Sequence, residues 1–238
     1  MATHEALIFD AQSQGERLLR RCDDLKKFLA LVRDSPQGSQ SDARWTSEAR
    51  DARALSVVCS MAELESFTKF LIQETHRELN SSGLSVRSFR SSIRQLAAHS
   101  TFESLRSLAD HSKLWEKRKY ATTLEACGDP IALPIEMRHA QPPLDGRTLR
   151  PEHFNRIWEI YGLPGAAFPF STWGASLQKM ALFRNDVAHG NIPYVEIFQQ
   201  AGRSVADVER YVNDISEFAI HLVATWVDYL ATEGYLGP

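Results

Sequence analysis

"ALFRNDVAHGN", residues 181–191, carries the apolar spacing of a packed helix, yet sets Arg184 among its core positions and ends on His189, Gly190 and Asn191. On an ideal helix turning about 100° per residue, Leu177, Met180, Ala181, Val187 and Ala188 share an arc of roughly 120°, and Arg184 falls inside it. A guanidinium is always charged, so an inward Arg184 needs a carboxylate or a groove. Asn185 and His189 stand four apart and project from one face near the helix end. In the same geometry Arg184 and His189 diverge by roughly 140°. The expectation is therefore that two copies of the chain, meeting across this helix, bring two such sets into one cleft.

The flanking segments read as helices too. "STWGASLQKMALFRNDVAHGNIP" gives a helix over about 174–191, with Ser171 or Ser176 as cap and Gly190 and Pro193 as its end. After it, Ser204 and Asp207 form a capping pair, and a single apolar stripe from Val205 to Leu230 predicts a helix over about 204–232. Toward the N-terminus, spacings of three and four predict a long amphipathic helix over about 4–33. It stops at the polar, turn-forming "DSPQGSQSD". A second helix over about 47–80 has apolar residues around its whole circumference, as expected of a central helix covered by neighbours. Glu63, Glu65 and Lys69 sit on it, and charges on a buried helix need partners. Glu63 or Glu65 is thus the expected partner of Arg184.

Residues 85–98 and 101–120 read as two shorter helices, the first presenting Arg87, Arg90 and Arg94 on one basic face. Residues 127–150 hold four prolines and two glycines, too many breakers for a helix, so about 120–150 reads as an irregular insertion. Long irregular segments often carry function, which makes this insertion the expected seat of specificity. "RPEHFNRIWEIYGLPG" then predicts a short helix from Pro151 to Tyr161, closed by Gly162. No strand series and no 20–50-residue repeat appears. The expected fold is an all-α bundle in one domain over 1–238, with a proline-rich insertion.

Composition narrows the class of function. With 43% hydrophobic residues over 238 positions there is material for a substantial core. No run of about 18 apolar residues and no secretory leader pattern is present, so no membrane partner and a cytoplasmic location are expected. Cys22, Cys59 and Cys127 lie far apart without a CxxC pair, as reduced structural thiols do. The eight histidines show no HExxH or HxH spacing, and neither GxGxxG nor a P-loop occurs, so no metal and no cofactor is expected. Ser176–Lys179 fits SxxK but lacks the companion motifs of acyl-serine enzymes.

The formal charge of −3 is unevenly spread. Residues 81–120 hold eight cations against three anions, whereas 194–238 hold two cations against seven anions. Arg87, Arg90, Arg94, Lys117, Arg118 and Lys119 are accordingly candidate phosphate contacts, or else a solvated helix face.

Arg184, Asn185, three further residues and then His189, at the end of a helix in an all-α chain, resembles the HEPN superfamily, whose signature is Arg, four to six residues, His. The "HG" that follows, the segment from "LEACGDP" to "YGLPG" and the terminal amphipathic helix are most similar to its RiboL-PSP group, over residues 47–80 and 150–232. The resemblance implies a metal-independent endoribonuclease. It also implies a homodimer, acting as the toxin of a toxin–antitoxin pair or in phage defence, with a possible partner protein as its control. The residue types suit that chemistry. His189 can serve as base or acid for cleavage by the RNA's own 2′-hydroxyl, Arg184 can hold non-bridging phosphate oxygens, and Asn185 can orient the phosphate or the imidazole. The expected products are a 2′,3′-cyclic phosphate and a 5′-hydroxyl. The alternative is a non-catalytic HEPN-like module binding RNA, a nucleotide or a protein, in which His189 merely meets the last carbonyls of its helix. In one HEPN branch a Tyr that a partner nucleotidyltransferase modifies stands two places after the His. Asn191 occupies that place here and the nearest Tyr is Tyr194, which argues against this control.

Overall fold

The computed structural model describes residues 4–34, 43–106, 111–135, 143–144, 146–190 and 193–237. Three long helices, α1 (Glu5–Asp34), α2 (Ala43–Ser81) and α9 (Val205–Ala231), pack against one another, and α7 (Ser171–His189) lies against α2 and α9. The shorter helices are α3 (Ser91–Ala97), α4 (His99–Arg106), α5 (His111–Thr122), α6 (Pro151–Tyr161) and α8 (Tyr194–Ile197). Among the described residues no strand ladder forms, and the only bridges are the isolated pairs Ser85–Pro130 and Phe89–Leu236. The fold is all-α. Residues 35–42, where the first loop was expected, and Asn191 lie outside the described residues.

The apolar periodicity explains this packing. Leu7, Ala11, Gly15, Leu18, Cys22, Leu25 and Leu29 form the buried stripe of α1. At Gly15 an added Cβ would come within 2.6 Å of the Val223 Cγ2 atom, so the missing side chain is what lets α1 approach α9 closely. Cys22 sits in this seam, and burial pushes its thiol up to about 11, the behaviour of an inert structural cysteine. The start of α9 is capped as its sequence requires. The Asp207 N–H donates to Ser204 Oγ at 3.1 Å, and the Ser204 N–H donates to the Asp207 carboxylate at 3.2 Å.

Three expectations need correction. The segment 85–98 is a single 3-10 turn, Val86–Ser88, followed by the two-turn α3, while 101–120 divides between α4 and α5. Helix α7 begins at Ser171 with Phe170 at the cap, so neither serine caps it. Helix α2 is not covered all round: Leu55 is 51% exposed and Val58 36% exposed. A circumference of apolar residues shows only that several faces prefer burial, and a surface helix face can keep some of them exposed.

The proline-rich segment is pinned where it is described. The Ile131 N–H donates to the Leu84 carbonyl at 3.0 Å, and the Asn80 side chain both donates to the Leu133 carbonyl at 2.9 Å and accepts from its N–H at 2.7 Å. His76 then supplies the central tie. Its Nδ1 lies 2.5 Å from the Pro134 carbonyl, so Nδ1 carries the proton, and its Nε2 accepts from the Tyr161 hydroxyl at 2.7 Å. That arrangement requires a neutral ring. Burial lowers the His76 pKa from 6.5 to about 4, partly offset by the bond to Pro134.

Because this pKa is lower in the folded than in the unfolded chain, the unfolded state takes up a proton first as the pH falls. Stability is therefore expected to be unaffected by His76 above about pH 6.5 and to decline from there toward pH 4, by on the order of 3 kcal/mol for this group. Urea unfolding across that window checks it, and His76→Gln, which keeps a donor and an acceptor but cannot charge, should flatten the slope.

Candidate functional site

The last turn of α7 is held by charge and by ring packing. Gly190 takes a left-handed conformation, φ 62°, and its N–H donates to the Asp186 carbonyl at 3.2 Å, which closes the helix directly after His189. One turn earlier, the Asp186 carboxylate meets Arg203 at 2.5 Å, and Arg203 also donates to the Ile197 carbonyl at 3.1 Å while lying 4.7 Å over the Phe183 ring. Arg53 of α2 donates to the Arg203 carbonyl at 2.6 Å and stacks on Phe198, and Tyr194 donates to Asp51 at 2.6 Å. The chain after α7 is thereby stapled back onto α2, and the direction of the helix end is set.

Beside that end lies a cleft of about 400 Å³, lined from three directions. Helix α2 contributes Glu65 and Lys69, the pinned segment contributes Leu144 and Gly146 to Arg150, and α7 contributes Arg184, Asn185 and His189. Two hydrogen bonds tie these walls together. The Leu149 N–H donates to Glu65 at 3.3 Å, and the Thr148 hydroxyl donates to the Asn185 carbonyl oxygen at 2.9 Å. The second leaves the Asn185 amide nitrogen without a partner among the described residues.

Arg184, Asn185 and His189 all line this one cleft. The 140° separation on an ideal helix did not predict that all three would line one cleft of a single chain, because a long arginine side chain can reach around the helix to the same opening. Arg184 is half-buried and makes no hydrogen bond or ion pair among the described residues. The expected Arg184 pairing with Glu63 or Glu65 is therefore absent. Glu65 shares the cleft but is engaged by the Leu149 backbone, and Glu63 stands near Cys22 on the α1 side. Two residues apart on a helix are about 200° apart, so only one of the two glutamates can face α7.

Among the described residues, the cleft is lined by the basic side chains of Lys69, Arg147, Arg150 and Arg184 and by the carboxylate of Glu65, in a chain whose net charge is −3. Such a lining draws anions. His189 is exposed and has no hydrogen-bond partner among the described residues, so either ring nitrogen can exchange a proton with a bound group. No cluster of three or more His, Cys, Asp or Glu side chains that could hold a metal ion occurs among the described residues.

The other basic candidates do not join this cleft. Arg90 donates to the carbonyls of Tyr161, Gly162 and Gly234, between 2.9 and 3.2 Å, and so ties α3 to the ends of α6 and α9. Arg94 lies 3.5 Å from Glu125, and Lys117 bonds to Ser104. Arg87, Arg118 and Lys119 are exposed elsewhere on the surface. Placing Arg87, Arg90 and Arg94 on one helix face failed because Arg87 sits in the 3-10 turn and Arg90 at the cap of α3. Lys69, Arg147, Thr148 and Arg150 were not singled out as site residues. Their signal is the polar "GRTLR" placed just before Pro151, inside the segment expected to carry specificity.

Comparison with known proteins returns one family. The model described as RiboL-PSP-HEPN matches residues 16–225. No curated protein and no solved structure matches. Among the described residues, no helix is long and apolar enough to cross a membrane.

Arg90→Ala is expected to lower stability by about 2–4 kcal/mol, since it strands three carbonyls that now receive charged donors. Lys119→Ala should change stability by less than about 0.5 kcal/mol. Equilibrium denaturation of both variants measures the difference. Arg203→Ala should cost about 2–3 kcal/mol, at the lower end for a broken buried pair because Asp186 remains partly exposed.

Proposed function

This chain belongs to the RiboL-PSP-HEPN family, and from that membership together with the cationic cleft we propose that it is a metal-independent endoribonuclease. The single observation that carries the reading is the placement of His189 on the wall of a cleft where Arg184 has no protein partner among the described residues. In the proposed reaction the RNA's 2′-oxygen attacks the adjacent phosphorus as a base removes its proton. The bond from phosphorus to the 5′-oxygen breaks as an acid protonates that oxygen. The products are a 2′,3′-cyclic phosphate and a 5′-hydroxyl end. His189 supplies one of the two proton transfers. Arg184 donates to the non-bridging oxygens, on which negative charge builds in the transition state, and the free amide nitrogen of Asn185 holds the same group.

A second acid or base is needed, and among the described residues one chain offers a single imidazole in the cleft. His189 of a second copy completes the pair in the proposed homodimer. Exposed Leu55 and Val58 on α2 and Leu182 on α7, the latter 46% exposed, supply apolar surface on the two helices that carry the site. The proposed setting is a cytoplasmic toxin or phage-defence effector controlled by a partner protein, as in its family.

The exposed His189 without an orienting partner favours a second reading, a module that binds RNA without cutting it. Incubating the purified protein with RNA in excess EDTA separates the two. Cleavage to cyclic phosphate ends is expected, and His189→Ala should reduce it at least about 10²-fold while the sedimentation of the dimer is unchanged. RNA bound but left intact by the wild-type protein would favour the binding module. A monomer that cuts at full rate would remove the two-copy site.

A further inference from the structure

A primary amide has two ends of nearly equal size and opposite polarity, so an asparagine beside a phosphate helps only when its nitrogen faces the phosphate. Asn185 lies on the cleft wall with its oxygen already taken up. The Thr148 hydroxyl donates to that oxygen at 2.9 Å, which leaves both amide protons without a partner among the described residues. With the amide reversed, the hydroxyl would have to accept instead, its own proton would lose its acceptor, and the Asn185 oxygen would be turned toward a bound anion. Thr148 is itself held. Its neighbour Leu149 is buried, the Leu149 N–H donates to Glu65 at 3.3 Å, and a β-branched side chain has few choices at χ1. The hydroxyl therefore sits on a fixed piece of backbone, 37 positions from the residue it serves.

We propose that Thr148 is a positioning residue of the His189 site, whose hydroxyl holds the Asn185 amide with its nitrogen toward the scissile phosphate. The inference rests on RNA being cut at that site. Asn185 then adds a neutral donor beside the Arg184 guanidinium at the non-bridging oxygens, where charge grows in the transition state. Thr148 touches no reacting atom and acts through Asn185 alone. A donor aimed in advance spares the reaction the reversal of an amide, so the benefit falls on the chemical step more than on binding. Turnover thereby depends on the docking of residues 146–150 against α2 and α7, since the same stretch supplies both the hydroxyl and the Leu149 anchor.

The test measures single-turnover cleavage of an oligoribonucleotide by the full chain in EDTA, with affinity read separately on a 2′-O-methyl strand that cannot be cut. Thr148→Val, which keeps the shape and removes the hydroxyl, is expected to slow cleavage about tenfold while changing affinity less than about twofold. Thr148→Ser, which keeps the hydroxyl, should restore most of the rate. In an Asn185→Ala background Thr148→Val should cost nothing further, because the group it aims is gone. The pH dependence of the rate should keep its midpoint in Thr148→Val, since His189 is untouched. An equal loss in both backgrounds, a serine variant as slow as the valine variant, or a displaced midpoint would overturn the proposal. Urea unfolding checks that each variant is folded, and Thr148→Ala provides the same deletion if valine is not accommodated. If the wild-type protein leaves RNA uncut, the ribonuclease reading falls, and NMR of the Asn185 side-chain amide during titration with inorganic phosphate decides the positioning. Those resonances should move in the wild type and in Thr148→Ser and stay in place in Thr148→Val. Amide signals that ignore phosphate in the wild type, or that move equally in Thr148→Val, would overturn it.

Discussion

His76 is buried between three parts of the chain and must stay uncharged to hold them. Its ring donates to the Pro134 carbonyl and accepts from Tyr161, so one α2 side chain fixes both the start of the irregular segment and the end of α6. The segment leaves this tie and returns to α6 by way of Gly146 to Arg150. Those residues form one wall of the cleft. A protonated His76 would have to give up the bond from Tyr161 inside an environment that penalises charge. The position of the cleft wall therefore depends on an interaction on α2 about two turns beyond the site residue Lys69 and three beyond Glu65.

The site itself shows a division of labour between charges that are neutralised and charges that are kept. Asp186 and Arg203 cancel each other beneath the last turn of α7, with Phe183 stacked on the guanidinium, and their role is to aim the helix end. Arg90 is satisfied by three carbonyls. Arg184 and Lys69 have no such partner among the described residues, and both open into the same cleft. In a folded chain an arginine that is half-buried and unpaired is costly unless something from outside completes it. A phosphate does so with the geometry a guanidinium prefers.

Among the described residues Glu65 is the one acid in that lining, and its position tempers the field without consuming it. Its carboxylate accepts from the Leu149 backbone, so it acts first as an anchor for the wall. Thr148 does the same for Asn185 from the opposite side. The two bonds join elements far apart in sequence, α2 to the irregular segment and that segment to α7. Each fixes a polar side chain of the cleft wall in one orientation.

Much of the fold was legible in the sequence because helices record their burial in local spacing. The stripe of α9, its Ser204 cap, the stops at Gly162 and Gly190, and the presence of Arg184, Asn185 and His189 near one helix end could all be read from neighbours a few residues apart. Tertiary structure alone decided which charges are spent and which remain. Arg87, Arg90 and Arg94 look alike in the sequence, yet Arg90 is locked onto three carbonyls and Arg87 faces outward. Lys69, Thr148 and Arg184 are 36 to 115 positions apart and share one cleft. The reason is that helix periodicity is a property of adjacent residues, whereas the partner of a long polar side chain is whichever distant segment the packing brings within about 3 Å of it.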